Sequence, residues 1–484
     1  MLFGNGNAGD RSCRAPFAAA LQRPRQQCHQ RERQTRQDYY GREQTPIRHS
    51  AMLARMSAPV PSAQALSTHE AHDHQVRDIQ HTTCCVVGAG PAGALLALLL
   101  ARQGIAVSLL EAHLDLDRDF RGDTVHPAIM EILDEIGLAD RLLKQVAHTK
   151  IQTARPPGAS FVVEFSRLKT RFPYIAIMPQ ARFLEFLTAE AARYPAFRLV
   201  MGASVRELVE EAGEVRGVRY QAPSGWHEVR ALLTVGADGR FSRVRQLSGL
   251  PPPIKTSQPI DVLWVRLSRR PTDPEGVQGR FGGGAGLILL DRGDRWQLGY
   301  VMPKGGYQRL HAAGLERLRA TVANLAPWLA DRVGELSDWK QVSLLSVESD
   351  FMPRWYRPGL LLIGDAAHTM SPVGGNGINY AVQDAAAAAN SLVGPLKTGR
   401  VTVRHLAAVQ RRRALPTRIT QAVVNQVQNR VITDLLRAPG PAALPKVVQL
   451  VLTTPVLATL PLRWIAFGLW PVHLIPDLRA ATEN

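Results

Sequence analysis

The sequence predicts an α/β fold with a further, mostly antiparallel sheet. Three observations predict it. An apolar strand, a glycine-rich turn, a helix and a second strand follow one another from Thr83 to Glu111, the order of a βαβ unit. A second apolar run, Gly359–Gly364, leads into another glycine-rich loop and a helix. Between them lie short β-rich segments separated by turn residues, which read as strands of an added sheet. The chain has 484 residues, enough for two or three domains at roughly 150 residues each. Hydrophobic residues at 45% and charged residues at 20% exclude a collagen-like or wholly disordered chain.

Residues 1–80 read as a disordered N-terminal tail. Arg, Gln, His and Ser dominate, Lys is absent and no helical or strand period runs through them. They lack the continuous apolar stretch of a secretory signal. Asp10, Glu32, Asp38 and Glu43 argue against a transit peptide. Order begins near Thr82. Thr83–Gly88 is a buried parallel strand. Pro91–Gln103 is a helix with Pro in its first turn, and Ala106–Glu111 is the second strand. A helix runs from about Ala128 to Ile136 and ends at Gly137, a natural C-cap. Another spans Gln180–Arg193. Short strands are expected at Arg198–Met201, Val205–Val209, Val215–Tyr220 and Glu228–Val235. Trp264–Leu267, Leu287–Leu290 and Trp296–Met302 supply the antiparallel sheet. Gly359–Gly364 is buried, and a helix follows from about Ile378 to Leu392.

The formal net charge is +17, but it is unevenly spread. Residues 1–80 carry +4, residues 81–395 carry +4, and residues 396–484 carry +9. A nucleic-acid enzyme concentrates its basic patch on the central fold, so nucleic acid is not expected as a partner. The four cysteines, Cys13, Cys28, Cys84 and Cys85, form no CxxC or Cys/His cluster. That argues against a disulfide scaffold or a zinc site, and no metal is expected. A reduced, cytoplasmic protein is the default.

Four segments carry chemistry. In Gly88-Ala-Gly90-Pro-Ala-Gly93 the glycines permit a tight turn and close approach to a pyrophosphate at a helix N-terminus. Glu111, ending the next strand, has the spacing of a ribose-binding acid; the alternative is a solvated strand-end carboxylate. In Arg121-Gly-Asp-Thr-Val-His-Pro127, an Arg ahead of a helix can hold phosphate oxygens in bidentate fashion. In Gly236-Ala-Asp238-Gly239, the Asp-Gly turn can cap the following helix. The strongest is Gly364-Asp365-Ala-Ala-His368-Thr-Met-Ser-Pro372-Val-Gly374-Gly375-Asn376-Gly377-Ile378-Asn379. Its strand delivers a carboxylate that can accept from hydroxyls. Its glycine loop lets backbone approach a flat ring at a helix N-terminus, where negative charge is stabilised.

In this order and spacing the motifs resemble the single-component FAD-dependent aromatic hydroxylases, the group A flavoprotein monooxygenases (para-hydroxybenzoate hydroxylase-like), over roughly residues 82–395. The resemblance implies a glutathione-reductase-like Rossmann FAD-binding domain (about 81–150, 175–255 and 345–395) interleaved with a smaller antiparallel-sheet substrate domain (about 151–174 and 256–344). Residues 396–484 remain as a basic, apolar C-terminal helical region. It assigns Gly88, Gly90 and Gly93 to the pyrophosphate, Glu111 to the adenosine ribose, and Arg121 to phosphate. Gln180 would meet the ribityl chain, Asp365 would bind ribityl or phosphate oxygens, and Pro372 with Gly374, Gly375, Asn376, Gly377, Ile378 and Asn379 would line the isoalloxazine. Asp238 and Gly239 are associated with FAD and NAD(P)H. The implied activity is NAD(P)H-dependent hydroxylation, with O2, of an aromatic or lipophilic polycyclic small molecule through a flavin C4a-hydroperoxide. The alternatives are a prenyl (geranylgeranyl-type) reductase and a non-catalytic flavin-binding redox protein. No acid/base side chain is legible. His126, Tyr300 and His368 are candidates by residue type alone, each read first as structural.

Thr402–Leu436 reads as one or two helices, with Arg411–Arg413 on an exposed face and a break at Pro416. Residues 447–476 are apolar with Trp464, Phe467 and Trp470, but interrupted at Pro455, Pro461 and Arg463. Neither half reaches the roughly 20 residues of a membrane span. The stretch is expected to pack on the fold or cover the substrate cleft, with peripheral membrane contact as the alternative.

Overall fold

The computed structural model describes residues 75–116, 123–155, 162–438 and 443–480. Residues 1–74 of the expected tail therefore lie outside the described residues, as do Arg121 and the rest of 117–122. The elements that frame the site are β1 (Val76–Val87), α1 (Pro91–Ala101), β2 (Val107–Glu111), α2 (Pro127–Glu135), α3 (Gln180–Ala191), β3 (Phe197–Met201), β4 (Ser204–Glu211), β5 (Glu214–Ala222) and β6 (Gly225–Gly236). They continue with β7 (Ile260–Ser268), β8 (Val277–Gly282), β9 (Ala285–Asp291), β10 (Arg295–Pro303), β11 (Leu360–Leu362), α4 (Gly377–Lys397), α5 (Val403–Gln426), α6 (Thr433–Arg437), α7 (Lys446–Thr453) and α8 (Pro455–Phe467).

The first strand begins at Val76, earlier than expected, because its leading residues extend the parallel pairing with β6 (Gln80 opposite Val229, Val87 opposite Gly236). Around it the parallel strands run in the order β11, β6, β1, β2, β3. Cys84, Cys85, Val86, Leu109 and Leu110 are fully buried, as strands covered on both faces must be. Both cysteines are free, and burial pushes the Cys85 thiol up to about 12. The helix α1 is apolar all round, and Ala92 through Ala101 are buried. It packs against α4, whose buried Ala385–Ala389 run keeps the two helices close. The antiparallel pair β4–β5 extends from β6.

The second sheet has seven strands and is mostly antiparallel, as expected. Alternation along β7 puts Leu263, Val265 and Leu267 on one face, with Leu318 and Val322 of the helix Leu315–Leu325. Val262 lies on the other face with Phe281, Val301, Val431, Ile432, Leu435 and Leu436. The covered face buries an ion pair. Arg332 Nη1 and Nη2 donate to the two Asp273 oxygens at 2.7 and 2.9 Å, and Trp296 Nε1 donates to the same carboxylate at 2.8 Å. The Arg332 guanidinium holds the Asp273 carboxyl well below the usual carboxylate range, against the opposing effect of burial.

Two expectations about the C-terminal region need correction. Pro416 does not break the helix: α5 runs through it from Val403 to Gln426. Proline removes one main-chain bond, and packing of Val409, Arg413, Pro416 and Thr417 into the fold keeps the helix continuous. The irregularity comes later, as a π-helical turn over Val427–Ile432. Arg413 is not exposed with Arg411 and Arg412 but fully buried. Further on, Leu462, Ala466, Phe467, Val472, Leu474 and Leu478 are buried. Glu135 accepts from Leu474 N, and Gln383 bridges Phe467 O and Val472 N. Val447, Leu450, Leu457 and Leu460 are exposed. No single helix among the described residues is long and apolar enough to cross a membrane; Lys446–Thr453 and Leu457–Phe467 meet at 87°.

The Asp273–Arg332 pair sets a pH-dependent stability. Asp273→Asn removes the two-pronged partner of the buried Arg332 guanidinium and leaves it only Asp331 as counter-charge; it is expected to cost roughly 3 kcal/mol at pH 7 by urea unfolding. The contribution of a depressed carboxyl is fully present above its unfolded pKa of roughly 3.9 and is lost progressively as pH falls from there through its lower folded value. The gap between wild type and variant should therefore close as pH falls below that value. A constant gap from pH 7 to pH 3 would contradict the assignment.

Candidate active site

The carboxyl ends of β1, β6 and β11 stand side by side, with Val87 opposite Gly236 and Gly236 opposite Leu362. Each strand end opens into one of the loops singled out above: Gly88–Gly93, Ala237–Gly239 and Gly364–Asp365. This is where ligands collect in parallel sheets.

The first turn is constrained by sterics. Gly88 has φ +100°, and a Cβ there would lie 2.6 Å from Ala237 O. A Cβ on Gly93 would lie 2.0 Å from Gly88 O, so glycine alone lets α1 start this close to the strand. Gly90 faces only Ala237 O, at 3.9 Å. Glu111, at the end of β2, returns to this turn. Its Oε2 accepts from Ala89 N at 2.9 Å, and Oε1 accepts from His113 N at 3.1 Å. The acid is thus brought to the glycine turn and helps hold it.

In the second loop, Asp238 accepts from the Ser242 hydroxyl and, at 3.0 Å, from Val244 N. Ser242 is the N-cap of the short helix Arg243–Leu247, accepting from Arg245 N at 2.9 Å, and Asp238 supports it; burial pushes the Asp238 carboxyl above the usual range. Gly239 has φ +82° and no atom within 4 Å of a Cβ position.

The third loop holds the remaining predicted residues. Gly364 N donates to Asp384 Oδ2 at 3.0 Å, which fixes the turn that presents half-buried Asp365. The same carboxylate receives His368 Nε2 at 2.6 Å and Arg413 Nε at 2.8 Å. Burial raises the Asp384 carboxyl, but His368 and Arg413 outweigh it and hold the group below its ordinary value. His368 is therefore a structural partner, as first read. Pro372 leads into Gly374 (φ +82°) and Gly375 (φ +66°), and α4 opens at Gly377. Asn379 donates to Asn376 at 3.4 Å and accepts from Gln383 at 3.0 Å; Ile378 is buried beside them.

His126 backs this loop. Its Nε2 lies 3.1 Å from Gly375 O, and its Nδ1 lies 2.8 Å from Ile465 O of α8. Burial pushes the imidazole down to about 4, so it is neutral near pH 7 and donates to one carbonyl at a time. Thr124 Oγ1 also donates to Gly375 O, at 3.1 Å. Fully buried, His126 braces the loop and does not act as an acid or base on a substrate. Tyr300 lies in the helix-covered cluster of the second sheet, on the face away from Val373.

Gln180 opens α3 and donates its main-chain N–H to Asp123 Oδ1 at 3.3 Å. Asp123 Oδ2 receives Arg292 Nη2 at 2.5 Å. Gln180 Oε1 is buried without a partner among the described residues. Sequence reasoning missed Asp384, Arg413, Asp123 and Arg292. A lone Asp inside the alanine-rich run of α4 was a usable signal for a buried pair. Nothing local distinguished Arg413 from its two exposed neighbours.

The family described as FAD binding domain matches residues 81–423. The 6-methylpretetramide 4-monooxygenase of Streptomyces rimosus is 36% identical over 411 residues, spanning 84% of this chain and 97% of that protein. The 3-demethoxyubiquinol 3-hydroxylase of Escherichia coli is 26% identical over 65% of this chain and 80% of its own length. Among solved structures, OxyS anhydrotetracycline hydroxylase from Streptomyces rimosus aligns with a TM-score of 0.63 at 24% identity, covering 80% of this chain and 76% of that one. PqsL, a probable FAD-dependent monooxygenase from Pseudomonas aeruginosa, aligns at 0.62 with 20% identity, covering 74% and 97%. With the three loops on adjacent strand ends, these matches lead to one conclusion: the chain belongs to the FAD-dependent aromatic hydroxylase family and is a flavoprotein monooxygenase.

Proposed function

We propose that FAD lies across the three strand-end loops and that the enzyme hydroxylates a polycyclic aromatic small molecule. The observation that carries the reading is the alignment of Gly88, Asp238 and Asp365 on the ends of neighbouring strands. The residues fit the cofactor. Gly90 and Gly239 leave the backbone approachable, and the unpartnered Gln180 Oε1 can accept from a ribityl hydroxyl. Gly88, Gly90 and Gly93 would hold the pyrophosphate, and Glu111 would reach the adenosine ribose from the glycine turn. Asp365 would accept from ribityl hydroxyls. Pro372 and Gly374–Asn379 would flank the ring, with free N–H groups at the start of α4 stabilising negative charge there.

Bound FAD, reduced by NAD(P)H, supplies the chemistry that activates O2 and delivers one oxygen atom to an electron-rich ring. The chain's own residues position and exclude water. Thr124 and His126 fix the Gly375 carbonyl, and Asp384 fixes the Gly364 turn. The apolar cluster of Val262, Phe281 and Val301, covered by Leu435 and Leu436, packs beside Val373 of the flavin loop and keeps that side of it dry. The substrate class follows the name of the 6-methylpretetramide 4-monooxygenase, matched over nearly its whole length. A digeranylgeranylglycerophospholipid reductase also matches, at 27% identity over 61% of this chain; that lower identity and coverage favour the monooxygenase. The reading needs no membrane contact, since the residues from Leu462 to Leu478 named above are buried in the fold.

The purified protein should be yellow. Its NAD(P)H oxidation in the presence of a polycyclic phenol panel should require O2 and yield a product heavier by one oxygen. Oxidation that proceeds unchanged without O2, with a hydrogenated product, would favour the reductase instead. Asp365→Ala should lower FAD retention after gel filtration by roughly tenfold; wild-type retention would remove Asp365 from the site.

A further inference from the structure

We propose that Gln428 determines substrate specificity, its carboxamide binding a polar pair on the aromatic substrate: a phenolic hydroxyl beside a carbonyl. The inference rests on the monooxygenase reading and adds a recognition residue to it. Gln428 lies in the π-helical turn Val427–Ile432 that joins α5 to α6. It is fully buried. Both its Oε1 and its Nε2 lack a partner among the described residues. Buried carboxamides are ordinarily paired, and leaving both ends unpaired costs stability that a leucine in the same place would not.

The neighbours locate the turn. Two turns back along the helix, Gln421 Nε2 donates to Thr369 O at 3.0 Å and to Asp350 O at 2.8 Å. Asn425 Oδ1 accepts from Gln258 Nε2 at 3.1 Å. One step on, Val431, Ile432, Leu435 and Leu436 pack with Ile260, Val262, Phe281, Val301 and Val373. Gln428 thus lies between the segment that precedes the flavin loop and the apolar face of the second sheet. The helix is also irregular there. A π turn carries one extra residue and recurs at functional sites.

A carboxamide presents an acceptor and a donor in one plane. Its complement is a donor beside an acceptor, as in a phenol flanked by a ring carbonyl or amide. Among apolar neighbours such a pair discriminates strongly, because a substrate lacking it leaves the buried groups unpaired.

The test uses the FAD-loaded enzyme and two flat probes, 3-hydroxy-2-naphthamide, which carries the polar pair, and 2-methylnaphthalene, which does not. Binding is read from the perturbed flavin absorption. Wild type is expected to prefer the first probe by roughly tenfold or more. Gln428→Leu should abolish that preference by weakening the first probe alone. Gln428→Glu, which keeps the size and the acceptor but loses the amide donors, should weaken it in part. FAD content and probe-free flavin reduction by NADPH should match wild type in both variants. Equal affinity of wild type and Gln428→Leu for 3-hydroxy-2-naphthamide would overturn the proposal, as a purely structural glutamine requires. So would a wild type that fails to bind this probe or to prefer it. Because flavin loading and reduction are read separately, such a result leaves the monooxygenase reading standing.

Discussion

One buried carboxylate organises the site. Asp384, in the middle of α4, accepts from the Gly364 main chain, from His368 and from Arg413. A lone carboxylate is costly to bury, and pairing makes it tolerable. The three partners come from the strand-end turn, the loop that follows it and the C-terminal helix α5. Asp384 therefore ties the turn carrying Asp365 to α4 and α5 at once. The Gly375 loop is braced separately, by Thr124 and His126, and His126 links it to α8. The glycine backbone of both loops is thus held by side-chain polar groups, Asp384 at Gly364 and Thr124 with His126 at Gly375.

The C-terminal region belongs to this arrangement. Its charge of +9 suggested a surface feature, yet Arg413 is spent inside the fold on Asp384. The α6 residues Leu435 and Leu436 cover one face of the second sheet, and the α8 residues Leu462, Ala466 and Phe467 join a cluster with Ile151, Phe165 and Ile177. Of these segments it is α6, with the π-helical turn before it, that borders the apolar face next to Val373.

Much of this was legible in the sequence, for physical reasons. Strands buried on both faces read as continuous apolar runs, so Gly359–Gly364 and the buried end of the first strand, from Thr83, were found, while its start at Val76 was not. Glycines in strand-to-helix turns have sterically enforced spacing, so Gly88, Gly93 and Gly375 could be named in advance. What stayed hidden depended on tertiary pairing. The leading residues of β1 are too polar to read as strand and are recruited by β6. Pro416 signals a break, and packing on α4 overrides it. Arg413 looks like its neighbours until Asp384 is placed opposite. Gln428 carries no local signal at all, since its interest lies in having no partner.

The central claim is that Asp384 holds the cofactor turn. Its most direct test is the FAD dissociation constant of Asp384→Asn, measured by flavin fluorescence alongside urea unfolding of the loaded protein. Asn keeps the size but loses the charge facing Arg413 and His368. The account expects FAD affinity to fall by roughly tenfold or more, with stability also reduced. FAD binding as tight as wild type, with stability alone diminished, would contradict it.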